Sequence, residues 1–360
     1  MYLQFALYAA CGFAAIYVII LIVFRSKPTN ILMDDFDRPP TSPEELSSFQ
    51  LGPIAEHDPR QLYIDLLMRA VSNILYEDKP YWFLEDGDKK VIGKGFRLDK
   101  RVEGEDFPSM SHTMIGIKRL RNLHYCIEQV IENNVPGDII ETGVFCGGAS
   151  IFANGVLRAH NVTDRKVYAC DTFAPPLKPP SPLVTTFALP IVKALAAIDH
   201  PRWRRMCYPV LMKITGQDKR FPLSKDMGDD FVSLIAWALR HADSMMPEKK
   251  ASLEHVKSNF ARYGLLDENV VFLQGFFSET LPDAPIETLS VIRLDGDVYD
   301  STMQAIEMLY PKLSPGGFCI VDDYLAFAEC QQAISDYREQ HNITDEIVEI
   351  DNIAAYWVKS

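Results

Sequence analysis

The chain has no Lys or Arg before position 25, no CxxC pair, no G-x-G-x-x-G loop and no surplus of positive charge. Each absence excludes something. Lys and Arg number 36 against 49 Asp and Glu, a net charge of −13. A surface that acidic repels a phosphate backbone, which excludes a general nucleic-acid binder. The cysteines stand at 11, 126, 146, 170, 207, 319 and 330, with no ladder spacing. They fit neither a zinc pattern nor a disulfide framework, and they suit a reducing compartment. What is present is apolar material. Hydrophobic residues make up 48% and charged residues 24% of 360 residues, enough to bury a core in one large domain with additions or in two small ones.

Residues 1–24 contain only two non-apolar residues, Gln4 and Gly12. At about 1.5 Å per residue, a helix of that length spans a bilayer core of about 30 Å. A secretory signal peptide would need a basic start and a shorter apolar run. The expectation is an uncleaved single-pass anchor. Arg25 and Lys27 follow the span and nothing basic precedes it, so the body is expected on the cytoplasmic side. Asn161-Val-Thr163 and Asn342-Ile-Thr344 would be glycosylation sequons in a luminal body, but such triplets are common by chance.

Residues 25–59 are proline-rich and acidic and read as a linker. Residues 60–134 read as a helical region packed on the core. Leu62, Leu66, Ala70 and Ile74 mark an amphipathic helix over 60–76, and 111–134 has the same periodicity. The stretch 78–110 between them is charged and turn-rich. From 135 to 360, short apolar strands alternate with helices. The strands are expected at 138–142, 166–171, 269–273, 288–295 and 317–322, with two more near the end. That alternation predicts an α/β fold, a doubly wound and mostly parallel Rossmann-like sheet. Ligands then bind beyond the carboxyl ends of the strands. Residues 178–247 interrupt the pattern. This insertion carries an apolar run at 183–198, a basic-aromatic cluster at 202–205 and a helical run at 229–242, and is too long for a plain loop.

Three constellations carry chemistry. In the first, Glu141-Thr-Gly143 leads to Gly147-Gly148 after a strand. Glycines let the backbone approach a ligand, and the next helix offers free N–H groups. The acid before the first glycine suits an amino acid or sulfonium cation better than a pyrophosphate, which points to S-adenosylmethionine. The second is Asp171, ending the next strand, where a carboxylate can accept from ribose hydroxyls or cap a helix. In the third, Asp295 ends one strand, and Asp322 and Asp323 end the following one. Parallel strands bring these ends together. Three oxygen donors suit Mg²⁺ or a similar hard cation, which also relieves their repulsion. Helix capping would account for one of these acids but not for all three.

These motifs resemble the macrocin O-methyltransferases, the TylF-type sugar O-methyltransferases of macrolide and aminocoumarin pathways. The matching stretches are SHTMIGIKRLRNL (111–123), VPGDIIETGVFCGGASIF (135–152), VKSNFARYGLLDENVVFLQGFFSETLP (256–282), IRLDGDVYDSTMQAIEMLYPKLSPGGFCIVDDY (292–324) and the terminal YWVKS. The resemblance covers roughly 60–176 and 248–360. It implies a class I methyltransferase fold and S-adenosylmethionine as cofactor. It implies Mg²⁺ on Asp295, Asp322 and Asp323, and Asp297 as general base. Thr113, Met114, Glu141, Thr142, Gly143, Ser150, Asp171, Thr172, Gly275 and Phe276 would line the donor site. It also implies self-association. The anchor and the insertion depart from the family pattern, and the insertion falls where an acceptor lid would lie.

The expected reaction is methyl transfer to a hydroxyl of a glycosyl or polyhydroxylated acceptor. A lipid-linked acceptor would suit the anchor and the insertion's apolar and basic-aromatic stretches, although an apolar helical stripe more commonly packs into its own core. His112 is an alternative base. Two other classes compete: a catalytically silent membrane-anchored scaffold on this fold, and a Rossmann dehydrogenase. The acidic cluster argues against the first and the glycine pattern against the second.

Overall fold

The computed structural model describes residues 41–52, 58–85, 89–92, 95–173 and 251–360. The expected anchor at 1–24 and the insertion at 178–247 lie outside the described residues. Among the described residues, no helix is long and apolar enough to cross a membrane. The chain divides after Glu45. Of the first part only 41–45 are described, including the start of a short helix, α1 (Pro43–Ser48). The rest, from Leu46 onward, forms the body.

Next come α2 (Pro59–Val71), β1 (Pro80–Glu85), β2 (Lys89–Ile92), α3 (Leu98–Glu103), β3 (Asp106–Pro108) and α4 (Gly116–Glu132). Three expectations change here. The expected linker holds some structure, because it contains α1 and, just before its first described stretch ends at Gly52, places Leu51 in the core. The charged stretch 78–110 holds an antiparallel sheet in the order β2-β1-β3. The run Tyr81-Trp82-Phe83-Leu84 is β-prone despite its charged flanks, and Asp86-Gly87 is a hairpin signal in the sequence between the first two strands. The helix α2 buries a different face from the expected one. Leu62 and Leu66 are exposed, while Ile64, Leu67, Met68 and Val71 are buried. Two apolar stripes run along this helix, and Asp58, capping it through Arg60 N, does not choose between them.

The main sheet follows. Its strands are β4 (Asp138–Thr142), β5 (Val167–Asp171), β6 (Val270–Gln274), β7 (Leu289–Leu294), β8 (Leu313–Val321), β9 (Val348–Glu349) and β10 (Ala355–Val358). Their order is β6-β5-β4-β7-β8-β10-β9. The first five run parallel; β10 is antiparallel to β8, and β9 to β10. Alternation along each strand splits the core in two. Ile139, Ala169, Val291 and Ile320 join one cluster, under α2, α4, α5 (Gly148–Ala159) and α6 (Leu253–Arg262). Ile140, Cys170, Ile292 and Val321 join the other, under α7 (Phe277–Thr280), α8 (Tyr299–Leu309) and α9 (Ala328–Gln340). Strand order reverses between β4 and β7. That places a crevice at the carboxyl ends of these two strands, where open α/β sheets bind ligands.

Candidate active site

The turn after β4 is built by close approach. Gly143 has φ +84°, and a Cβ there would overlap the Asp295 carbonyl oxygen. Only glycine combines that conformation with that contact. Thr142 passes its carbonyl to Asp295 N at 3.0 Å, so the ends of β4 and β7 stay joined. Asp171, ending β5, accepts from Val144 N at 2.7 Å and from Phe173 N at 2.9 Å. Thr172 Oγ1 donates to the same carboxylate at 3.2 Å. Gly275 N donates to the Asp171 carbonyl at 3.0 Å, which seats Gly275 and the exposed Phe276 beside it.

The segment 111–114 arrives from the other side. Gly148 N donates to the His112 carbonyl at 2.8 Å, and a Cβ on Gly148 would collide with that same oxygen. This fixes buried Thr113 and half-buried Met114 next to the start of α5. The His112 ring is engaged elsewhere, with Nδ1 2.9 Å from Tyr263 Oη.

Behind the turn lies a charged network that the sequence pattern does not announce. Glu141 and Arg293 are paired neighbours on β4 and β7. Arg293 Nη1 donates to Glu141 Oε1 and to Asp295 Oδ2, each at 2.9 Å. Arg293 Nη2 lies 2.6 Å from Asp322 Oδ1. Arg119 of α4 donates from Nη1 to Asp322 Oδ2 at 2.8 Å, and its Nε lies 3.1 Å from Asp351 Oδ2. Ser150 donates to the remaining Glu141 oxygen. Glu141 is therefore not an open carboxylate at the strand edge; it is buried and already paired. A signal for these two arginines exists in the sequence. Arg293 is the one charged residue in a buried strand, and Arg119 falls on the buried face of α4.

Asp295, Asp322 and Asp323 converge, each offering an oxygen within 4.8 Å of the others. Their surroundings differ. Burial opposes the charge on Asp322, but Arg119 and Arg293 outweigh it and hold that carboxyl below its usual range. Burial and the charge of Asp322 push Asp295 well above its usual value, against Arg293. Burial pushes Asp323 up too, and Asp295, Asp297 and Asp322 all add to it. Asp297 keeps a solvent-accessible face, yet desolvation within the cleft, followed by Asp322 and Asp171, raises it against a hydrogen bond with Asp323. Asp323 Oδ2 is buried with no hydrogen-bond partner among the described residues. A carboxylate oxygen is rarely left that way unless something else occupies its lone pairs. The donor set, all oxygen and with excess negative charge, fits a hard divalent cation.

Known proteins resemble this chain over most of its length. A family model described as macrocin-O-methyltransferase (TylF) matches residues 60–186 and 238–359. Mycinamicin III 3''-O-methyltransferase of Micromonospora griseorubida is 40% identical over 300 residues, covering 83% of this chain and 97% of that protein. Demethyldecarbamoylnovobiocin O-methyltransferase of Streptomyces niveus is 38% identical over 300 residues, covering 83% of this chain and 94% of that protein. The solved structure of the O-methyltransferase NovP is 36% identical with a TM-score of 0.61, covering 84% of this chain and 99% of that one.

Proposed function

The chain belongs to the macrocin-O-methyltransferase (TylF) family and is an S-adenosylmethionine-dependent O-methyltransferase, and from that premise we propose that it methylates a sugar hydroxyl of a glycosylated small molecule, with Mg²⁺ held by Asp295, Asp322 and Asp323. The observation that carries the metal assignment is the partnerless buried Asp323 Oδ2 at the centre of an acid surplus. When bound, Mg²⁺ lowers the proton affinity of an acceptor hydroxyl and orients it.

The chain's own residues do the rest. Thr113, Met114, Gly143, Asp171, Thr172, Gly275 and Phe276 surround the donor. Glu141, Thr142 and Ser150 brace that wall from behind. Asp297 takes the hydroxyl proton while the acceptor oxygen attacks the methyl carbon and the sulfonium leaves as a neutral thioether. Its backbone is held at φ +60°, a left-handed conformation that aims the side chain from a tight turn. A relative of Streptomyces olivaceus is by name a 4'-O-methyltransferase of a rhamnosyl-tetracenomycin, which supports a sugar acceptor. The apolar residues 1–24 support a membrane anchor with the body on the cytoplasmic side, and a lipid-linked acceptor follows from that placement.

The test uses the full chain in detergent. Thermal stabilisation by S-adenosylhomocysteine is measured with and without Mg²⁺, in the parent and in Asp322→Ala/Asp323→Ala. Methyl transfer is then scored on macrolide and aminocoumarin glycosides and on glycolipids. The parent should respond to both ligands, and the variant only to the donor analogue. Full turnover in chelator would end the Mg²⁺ assignment. Full turnover in Asp297→Asn would remove that residue from the mechanism.

A further inference from the structure

A second convergent cluster lies away from the acid edge. His124 and Glu128 are four residues apart on α4 and so share a face. His160 caps the far end of α5, whose first residue, Gly148, borders the donor turn. At about 1.5 Å per residue, the helix separates the two places by about 18 Å. Glu128 Oε1 lies 3.2 Å from His124 Nε2 and 3.6 Å from His160 Nε2. All three ligand atoms fall within 4.8 Å of one another.

Two observations make this more than a chance grouping. Both Nε2 atoms are shut off from solvent, yet among the described residues neither makes a hydrogen bond of good geometry, although a carboxylate oxygen is near both. The side chains of His124 and His160 are only 13% and 10% exposed. Second, the spacing suits one shared ion. Ligand atoms about 2.0–2.1 Å from a tetrahedral centre stand about 3.3 Å apart, and the separations from Glu128 bracket that value. Gln61 Nε2 donates to Glu128 Oε1 at 3.2 Å and orients the carboxylate from outside, as outer partners of metal ligands do. Near His160, Arg60 opposes a cation, and Glu132 and Asp58 offset it.

We infer that His124, Glu128 and His160 form a second metal site, for Zn²⁺ or a similar borderline divalent ion, that clamps α4 to α5. Two imidazoles and one carboxylate select such an ion over Mg²⁺. Clamping these helices steadies both partners of the donor turn, since α4 carries Arg119 and α5 carries Ser150.

The test uses the full chain, carrying no added histidines, stripped with chelator and then titrated with Zn²⁺ against a chromophoric competitor. One equivalent should bind in the parent and in Asp322→Asn/Asp323→Asn. Affinity should fall on the order of 100-fold or more in His160→Gln and in His124→Gln, since loss of even an outer partner costs roughly 10–100-fold. Co²⁺ in place of Zn²⁺ should give the intense visible bands of a tetrahedral site in the parent and lose them in His160→Gln. His160 sits at a helix end, so that variant decides the matter if His124→Gln fails to fold. Equal Zn²⁺ affinity in His160→Gln and the parent would overturn the assignment. So would displacement of Zn²⁺ by Mg²⁺ at equal concentration.

Discussion

Around Arg101, one guanidinium holds two carboxylates and nothing is left over. Its Nε donates to both oxygens of Asp106 at 3.0 and 2.8 Å. Its Nη1 donates to Asp78 Oδ1 at 2.8 Å and to the Ser72 carbonyl at 2.6 Å. The other Asp78 oxygen accepts from Met110 N at 2.7 Å and from Ser109 Oγ at 3.2 Å. Around Arg293 and Arg119, two guanidinium groups face Glu141, Asp295, Asp322 and Asp351, and Asp297 and Asp323 stand beside them with no arginine of their own. Both clusters are buried and both are acidic. The first completes its bonding internally, while in the second Asp323 Oδ2 has neither a hydrogen bond nor an ion pair among the described residues. Burial of acids therefore does not mark the site; the surplus left after pairing does.

The largest effect that can break this comparison is loss of Arg101. Arg101→Ala strands Asp78 and Asp106 in the interior, and breaking a buried pair from one side costs about 3–5 kcal/mol. Urea denaturation should record that loss, and Mg²⁺ should not restore it. A loss below about 1 kcal/mol would mean that the cluster is not a structural lock.

The same cluster makes a pH signature. Burial pushes Asp106 up to about 6, against Arg101, and the charge of Asp78 adds to the rise. One guanidinium shared by two carboxylates does not fully compensate the more deeply buried one. The folded chain thus holds a proton on Asp106 that the unfolded chain has released. Asp106 contributes stability below its ordinary value near 3.8, and that contribution is lost as pH rises to about 6. A rise of this size is worth about 3 kcal/mol. Asp106→Asn should flatten the decline of stability across this window. An unchanged pH profile in that variant would show that Asp106 stays ionised throughout.

The sequence makes one of these clusters legible and hides the other. Asp295, Asp322 and Asp323 stand at the ends of two strands that the hydrophobic pattern locates to within a few residues, and parallel pairing does the rest. The turn after β4 and its neighbours are equally readable, since Gly143, Asp171 and Gly275 each sit at a strand end. Arg101, Asp78 and Asp106 belong to a charged stretch with no period to read, and their partners lie up to 32 residues away. The inward stripe of α2 differs from the expected one for a related reason. Which of two apolar faces is buried depends on α5, and a helix's own sequence does not contain its neighbour. The position of Glu141 along the chain is plain from the pattern but its neighbour is not, because pairing with Arg293 is a property of sheet order rather than of either strand.

The smallest effect sharpens the comparison most, because its sign differs between the clusters. Asp323→Asn removes a carboxyl that has no partner for Oδ2 and three acidic neighbours. The new amide can donate toward those neighbours, so without divalent ions the variant should be as stable as the parent or gain up to about 1 kcal/mol. Asp78→Asn should do the reverse, because it takes an ionised partner away from Arg101. Adding Mg²⁺ should then invert the first result. At a hundred times its dissociation constant, a ligand that binds only the folded state adds about 2.7 kcal/mol. The parent gains that increment and Asp323→Asn does not. Thermal melts of the parent and both variants, with chelator and then with Mg²⁺, read all of this in one series. If Asp323→Asn is destabilised in chelator and still shifts with Mg²⁺, then Asp323 belongs with Asp78 as a structural acid, and the surplus is not a metal site.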